Sequence, residues 1–380
     1  MNILHVSISS HYTENMTYQD NQLSEQNALD GHTVTVISDC FQFEGSKLVK
    51  TPEEDITLEN GVRLIRVEYD LIIHPLISSK IRKVNKLYKI IQDIKPDVIL
   101  FHGVAGYEML TVARYKKNNT KTKLYIDSHE DFHNSGTFWL SRTLQYRIFN
   151  RFIVNKIKNK VDKFLYLSYE SRDFLEVMYG LEDNKLEFYP LGGNIIEREN
   201  KKEFSQEIRA KHGYGQDDIL ILHSGKLVPA KKTKELIEAF KLVTNPRLKL
   251  IIVGSIPTEY SQILNKLIQS DERVNFVGWK SSYDLVKYLC AADLYFQPGT
   301  QSATMQNAIC CGTPVALYPY SSHHPYIDDN GFFVSNEDDY VRVFESILSD
   351  PEILTNMSNA SYSIARNLLD YKKLASRLYI

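Results

Sequence analysis

The sequence is poor in cysteine and gives its cysteines no motif spacing. Four of the 380 residues are cysteine: Cys40, Cys290, Cys310 and Cys311. Two are adjacent, and none stands two residues from another, which excludes the paired spacing of a zinc or dithiol motif. Free thiols in a reducing compartment are the simple account. No run of about 18 apolar residues occurs, so no membrane-spanning helix is expected. The N-terminal "MNILHVSISS" lacks a basic segment and a small-residue cleavage site, so it reads as a first strand rather than a secretory signal. An excess of one charge is absent too: 45 Lys and Arg face 47 Asp and Glu. That balance excludes a general nucleic-acid binder and a disordered charged tail. Repeats and low-complexity segments are also missing.

What is abundant is aromatic: 24 tyrosines and 17 phenylalanines, more than one domain needs, and read first as core and interface packing. Apolar strand-like runs alternate with amphipathic helix-like ones through the whole chain. The first cycle takes in "MNILHVSIS", a helix over 22–30 closed by Gly31, "TVTVIS", an irregular stretch over 40–60, and "VRLIRVEY". A helix over 79–94, "PDVILFHG", a helix over 107–116 and "KLYIDSH" come next, and a long helical region over 138–160 leads to "KFLYLS". A polar stretch, "NIIERENKKEFSQEIRAKHGYGQDD", precedes a second cycle built on "ILILHSG", "LKLIIVGS", "VNFVGW", "DLYFQPG" and "PVALYP". This is β-α-β repetition, which builds parallel sheets with helices on both faces. The fold class is α/β, with two Rossmann-like doubly wound domains facing across a cleft, the default ligand site. The expected divisions are 1–195, 196–360 and an amphipathic tail, 361–380, that packs back on the first domain.

"HSGKLVPAKKTKELIEAF" carries the clearest chemistry. A strand ends near Ser224, Gly225 allows a turn, and Lys226 and Lys231 precede a helix that starts near Thr233. Lysines at the carboxyl end of a strand, beside a helix start, suit a diphosphate. Surface solvation is the competing account of such lysines. This run resembles the glycine-arginine and lysine segment of the retaining family-4 glycosyltransferases of GT-B fold. The resemblance extends through "QLSEQNALDGHTVTVIS", "KPDVILFHG", "LYIDSHEDFH", "KFLYLSYESRDFL", "KLEFYPLGG", "LIIVGS", "VNFVGW" and "AADLYFQPG". It implies that Lys226 stands at the arginine position and Lys231 at the lysine position, together holding the donor's diphosphate. The exchange of arginine for lysine keeps the charge and loses the bidentate fork. It also implies that His129, in "DSHED", lies near the donor's phosphate and sugar, where it would donate a hydrogen bond to a developing negative oxygen. Glu130, Asp131 and His133 are nearby polar candidates for the acceptor.

In "GTQSATMQNAICCGTPV" the family carries two glutamates, and this sequence carries no acid at all. Counting back from Gly312 puts Asn307 where the ribose-binding glutamate falls, with Gln306 as its neighbour and competitor. Gly299 occupies the first acid's place, and Gln301 is the plausible substitute. Asn307 can still offer a ribose diol one donor and one acceptor. Thr300, Gln301, Ser302, Ala303 and Thr304, by hydroxyl, amide or main chain, are further donor contacts. The loop after the first strand, "SSHYTENMTYQDNQ", lacks the family's glycine pair, so His11, Tyr18 and Gln19 are the acceptor candidates there.

The resemblance implies sugar transfer from a nucleoside-diphosphate sugar to a glycan or lipid-linked acceptor, with retention, in cell-surface polysaccharide or glycoconjugate synthesis. No cofactor or metal is expected, because the lysines take the metal's role and no acidic pair with metal spacing is present. No nucleic-acid partner is expected. The segment 141–160 carries six basic residues and no acid, and 79–95 is similar with one acid. Both suit a helix lying on an anionic membrane, and a solvated helical face explains them as well. The protein is expected in the cytoplasm or at the inner face of the membrane. Two alternatives stay open: a sugar-nucleotide epimerase of the same architecture, and a non-catalytic GT-B subunit that partners an active transferase.

Overall fold

The computed structural model describes every residue except Gly45, Ser46, Ile73, His133 and Leu140, and of Pro75 and Leu76 only the main chain. Along the chain the elements are β1 (Asn2–Ser7), α1 (Gln19–Leu29), β2 (Thr33–Asp39), β3 (Phe41–Glu44), β4 (Lys47–Lys50), β5 (Glu54–Thr57), β6 (Arg63–Val67), α2 (Pro75–Ile81), α3 (Leu87–Ile94), β7 (Val98–His102), α4 (Met109–Asn118), β8 (Lys123–Ser128), α5 (Arg151–Ile157), β9 (Lys163–Tyr166), α6 (Tyr169–Phe174) and β10 (Leu186–Phe188). They continue as α7 (Arg198–His212), β11 (Ile219–Lys226), α8 (Thr233–Leu242), β12 (Leu248–Ser255), α9 (Thr258–Gln269), β13 (Val274–Gly278), α10 (Ser282–Ala291), β14 (Leu294–Gln297), α11 (Thr304–Cys310), β15 (Val315–Leu317), β16 (Gly331–Phe333), α12 (Glu337–Ser349), α13 (Glu352–Ile364) and α14 (Tyr371–Ser376).

Two compact units result: Met1–Pro190 with Tyr371–Ile380, and Leu191–Asp370. The divisions thus fall at 190/191 and 370/371, where the sequence suggested 195/196 and 360/361. Strands in the first unit lie in the order β10-β9-β8-β7-β1-β2-β6-β5, and in the second β13-β12-β11-β14-β15-β16. Apart from β5, which runs antiparallel to β6, neighbouring strands of both sheets are parallel. Parallel strands are covered by helices on both faces, so they read as continuous apolar runs. Ile3, Leu4 and Val6 of β1, and Leu220, Ile221 and Leu222 of β11, are accordingly buried. Each fully buried side chain of this size contributes roughly 1.5–3 kcal/mol of transfer free energy. The chain order reverses between β1 and β7 in one sheet and between β11 and β14 in the other. Ligands of doubly wound sheets bind beyond the carboxyl ends of the strands at such reversals.

Four local expectations change. The stretch 40–60 is not irregular: it holds the β3–β4 hairpin and the edge strand β5. The helix expected over 79–94 is two helices, broken where Arg82 turns to left-handed geometry at φ 54. The break lets Val84 and Leu87 enter the core, with the Val84 N–H donating to Glu108 Oε1 at 2.8 Å. The region 138–160 opens as a wide π-type helix over Ser141–Asn150 before α5 continues it. The polar stretch after 194 is mostly the 15-residue helix α7, whose sole fully buried side chain is Ile208.

Candidate active site

In the second unit the site residues gather at the β11/β14 reversal. Gly225 has φ 139, a conformation that favours glycine, and carries the chain from the buried part of β11 to the exposed Lys226. Lys231 then folds back over Gly225. Its ammonium donates to the carbonyl oxygens of Thr300 and Gln301, both at 2.9 Å. Two of its three protons are therefore fixed and one is left for a ligand. Burial pushes the Lys231 ammonium below its ordinary value. The two segments are also tied through their main chains, with the Thr300 N–H donating to Ala230 O at 3.0 Å. Gly299 makes that approach possible, since a Cβ there would stand 2.3 Å from Ala230 O.

Beneath this loop is a buried polar chain. Ser224 Oγ lies 3.2 Å from Tyr295 Oη, which donates to Gln297 Oε1 at 3.2 Å. The Gln297 amide nitrogen is buried and has no hydrogen-bond partner among the described residues. His223 is a fastening, not a site residue: it bridges Phe296 O at 2.8 Å and Thr233 Oγ1 at 2.9 Å, and burial pushes its imidazole down to about 4. In the loop itself Thr300, Gln301 and Ala303 are exposed. Ser302 and Thr304 hold each other, hydroxyl to hydroxyl at 3.1 Å, at the start of α11. The two amide candidates separate. Gln306 is buried, with its amide turned inward to the Tyr326 hydroxyl at 3.5 Å, which takes it out of the candidate set. Asn307 is partly exposed, and its Oδ1 would stand 3.5 Å from a Cβ on Gly193, in the strand-like lead into α7.

In the first unit His129 follows β8 and is half exposed, with Nε2 at 3.9 Å from Asp127 Oδ1. Behind it runs a buried chain. Asp127 accepts from the Gly103 N–H at 2.8 Å and from His102 Nδ1 at 2.6 Å. His102 Nε2 lies 3.0 Å from His5 Nδ1, and His5 Nε2 lies 2.9 Å from Asn27 Oδ1. The four side chains thus form one buried chain, with the His102 imidazole against the Asp127 carboxyl. Burial and the neighbouring His102 push His5 down to about 3. Burial opposes a charged His102, but Asp127 outweighs it and holds the imidazole above its ordinary value. Burial likewise opposes the Asp127 carboxylate, and His102 outweighs it.

The other candidates are placed variously. Burial pushes the Glu130 carboxyl up to about 8, and the Tyr179 hydroxyl donates to it at 3.1 Å. Glu130 is thus a neutral acid at pH 7. Asp131 engages its own turn, accepting from the Asn134 N–H at 2.8 Å and from the Asn134 amide at 3.2 Å. His11 is held by Asp39 at 2.7 Å and set edge-on to Phe41 and Phe43. Tyr18 is exposed, whereas Gln19 is buried: its amide nitrogen donates to Pro190 O at 3.3 Å, and its amide oxygen has no hydrogen-bond partner among the described residues. His133 lies outside the described residues. The residues that sequence reasoning passed over are His5, His102, Asp127, Tyr295 and Gln297. Their signal was a polar residue inside a strand otherwise buried on both faces. Among the described residues, no group of three or more His, Cys, Asp or Glu side chains could hold a metal ion.

Two α/β units, with Lys226 and Lys231 at the strand-order reversal of the second and His129 just past β8 of the first, define a two-domain doubly wound architecture with its candidate residues beyond the strand ends. The family described as Glycosyltransferase Family 4 matches residues 21–194, and Glycosyl transferases group 1 matches residues 204–364. A glycosyltransferase of Methanocaldococcus jannaschii is 26% identical over 200 residues, covering 49% of this chain and 47% of the relative. The glycosyltransferase EpsD of Bacillus subtilis is 27% identical over 158 residues, covering 39% of this chain and 41% of the relative. The matches thus span about half or less of these curated relatives. The crystal structure of Anabaena HepE in complex with UDP superposes with a TM-score of 0.69 at 15% identity, over 99% of this chain and 98% of that one. The chain belongs to the glycosyltransferases of GT-B fold.

Proposed function

We propose that the protein transfers a sugar, with retention, from a nucleoside-diphosphate sugar to a glycan or lipid-linked acceptor, in building a cell-surface polysaccharide or glycoconjugate. The observation that carries this reading is Lys231, held by the Thr300 and Gln301 carbonyls with one proton unused, beside the exposed Lys226. Two ammonium groups at one strand end neutralise the charge that builds on a departing diphosphate, a role a divalent metal fills elsewhere. Asn307 takes the ribose diol and the Thr300–Thr304 loop the sugar or phosphate oxygens, through neutral contacts where the family uses acids. His129 donates to the donor's oxygens. Its neighbour Asp127, at 3.9 Å, is held in place by the His102 contact. Tyr18, His11 and Glu130 are the acceptor-side candidates, Glu130 as a hydrogen-bond donor in its protonated state.

Isothermal titration of UDP-, GDP- and ADP-sugars against the full chain and a Lys226→Ala/Lys231→Ala variant tests the reading. One donor is expected to bind, and the double variant to weaken it by about 10²-fold, near 1.5 kcal/mol per charge-assisted bond. Unchanged affinity in the variant would remove the diphosphate from these lysines. Isomerisation of that donor without any acceptor would replace transfer by epimerisation.

A further inference from the structure

The second unit has a cavity of about 570 Å³ that the donor reading does not use. It opens at the amino ends of the strands: Ile219 begins β11, and Asp293 and Pro314 immediately precede β14 and β15. Lys226 ends β11, seven residues on from Ile219. At about 3.3 Å per residue, the cavity is therefore roughly 23 Å from the lysine site along the strand. Its volume is in the range of small-molecule pockets.

The lining is rich in cations. Arg198 and Lys201 flank the Tyr362 ring, 4.7 and 5.9 Å from its centroid. Arg198 donates to Asn359 Oδ1 at 2.7 Å, and Lys201 donates to Gly312 O at 2.8 Å. Lys202 and Arg247 line the cavity as well. None of these four cations is ion-paired to a carboxylate among the described residues. Burial pushes the Lys201 ammonium below its ordinary value, against the opposing pull of Asp293. Asp217 and Asp218 belong to the same lining. Arg247 Nε donates to the Asp217 carbonyl at 2.9 Å, and Asp218 accepts the Gly215 N–H at 2.8 Å. The remaining acid, Asp293, is neutralised by Arg209 at 2.8 Å.

Cations without a salt bridge call for an anion, and carboxylates in the same lining call for hydroxyl donors. We propose that this cavity is a second binding site, taking the phosphate of a phosphorylated sugar on Arg198, Lys201 and Lys202, and its hydroxyls towards Asp217 and Asp218. The site is independent of the donor lysines.

Isothermal titration of the full chain with glucose 6-phosphate tests it, with glucose and inorganic phosphate as controls. Glucose 6-phosphate is expected to bind the wild type and Lys226→Ala/Lys231→Ala alike. Arg198→Gln/Lys202→Gln is expected to weaken it by about tenfold or more, the loss of one charge-assisted bond. Lys202→Gln/Arg247→Gln, which leaves the Asn359 contact intact, is the variant to use if Arg198→Gln lowers the melting temperature. No binding by the wild type overturns the proposal, as does binding untouched by either double variant. Loss in Lys226→Ala/Lys231→Ala assigns the ligand to the donor end and overturns it. Inorganic phosphate binding as tightly as glucose 6-phosphate also overturns it, because the hydroxyl contacts would then be absent.

Discussion

Glu130 and Asp127 stand three residues apart and hold their protons in opposite ways. Burial opposes the Asp127 carboxylate, but His102 outweighs it and holds the carboxyl below its ordinary value, whereas burial pushes the Glu130 carboxyl, which accepts from the Tyr179 hydroxyl, up to about 8. A folded acid with a raised pKa makes stability fall with pH. Below the unfolded value, near 4.3, both states hold the proton; above it the unfolded chain releases the proton and the folded chain does not. Stability is therefore lost progressively between about pH 4.3 and 8. Glu130→Gln removes that loss. Its melting temperature is expected to match the wild type near pH 4 and exceed it by several degrees at pH 8, on the order of 2–4 °C per kcal/mol recovered. A constant difference across that range would show that Glu130 ionises normally. At this scale the sequence was legible where a polar residue stood at or just past the end of a strand, as Lys226 and His129 do. It was opaque where the polar residue sat within one. His5 and His102 read as strand residues, and only pairing of β1 with β7 brings their rings to 5.3 Å.

At the scale of elements, the β-α-β alternation was legible because the central strands of both sheets are buried and mostly apolar. What was not legible has physical causes as well. The edge pieces β3, β4 and β5 are short and largely exposed, so they carry little pattern. α7 is polar nearly all round and is fixed from outside, by Lys287 on Glu207 and Phe204 against Tyr283. The donor loop depended on one contact that no periodicity announces, the close approach of Gly299 to the 230–231 turn. A Cβ on Gly299 would stand 2.3 Å from Ala230 O and 2.6 Å from the Lys231 carbonyl carbon, both main-chain atoms that cannot rotate away. Gly299→Ala is expected to push the loop off the turn, costing about 1–3 kcal/mol in chemical unfolding. It is also expected to lower donor affinity although no charge is lost, because Thr300 and Gln301 no longer hold Lys231. Gly215→Ala, whose Cβ would have nothing nearer than 3.7 Å, is the control and leaves both unchanged. Full donor affinity in Gly299→Ala would mean that the loop does not orient Lys231.

At the scale of the whole molecule, near-neutral charge conceals an uneven distribution. The 20 residues from 141 to 160 hold six of the 45 basic residues and none of the 47 acids. Sequence alone left two accounts, a membrane-facing helix or a solvated one with an apolar core stripe. The fold separates the stripe into two. Ile153, Val154 and Ile157 are buried in the first unit's core, while Leu144, Ile148 and Phe152 are 55, 57 and 56% exposed. These three recur at four-residue steps, so they form a row on the outer side of the helix. Phe138 and Trp139, 62 and 68% exposed, precede it. An apolar row flanked by Arg142, Arg147, Arg151 and Lys156 has the make-up of a helix that lies in the interface of an anionic bilayer. Among the described residues no helix is long and apolar enough to cross one. Peripheral binding would bring the proposed lipid-linked acceptor to the unit that carries His129. The full chain is expected to float with vesicles containing phosphatidylserine and to release in high salt, since each basic residue near the surface adds about 1 kcal/mol. Ile148→Glu with Phe152→Glu, both at exposed positions, is expected to abolish flotation and leave the melting temperature within about 1 °C. Flotation that survives the double substitution would return this row to the solvated account.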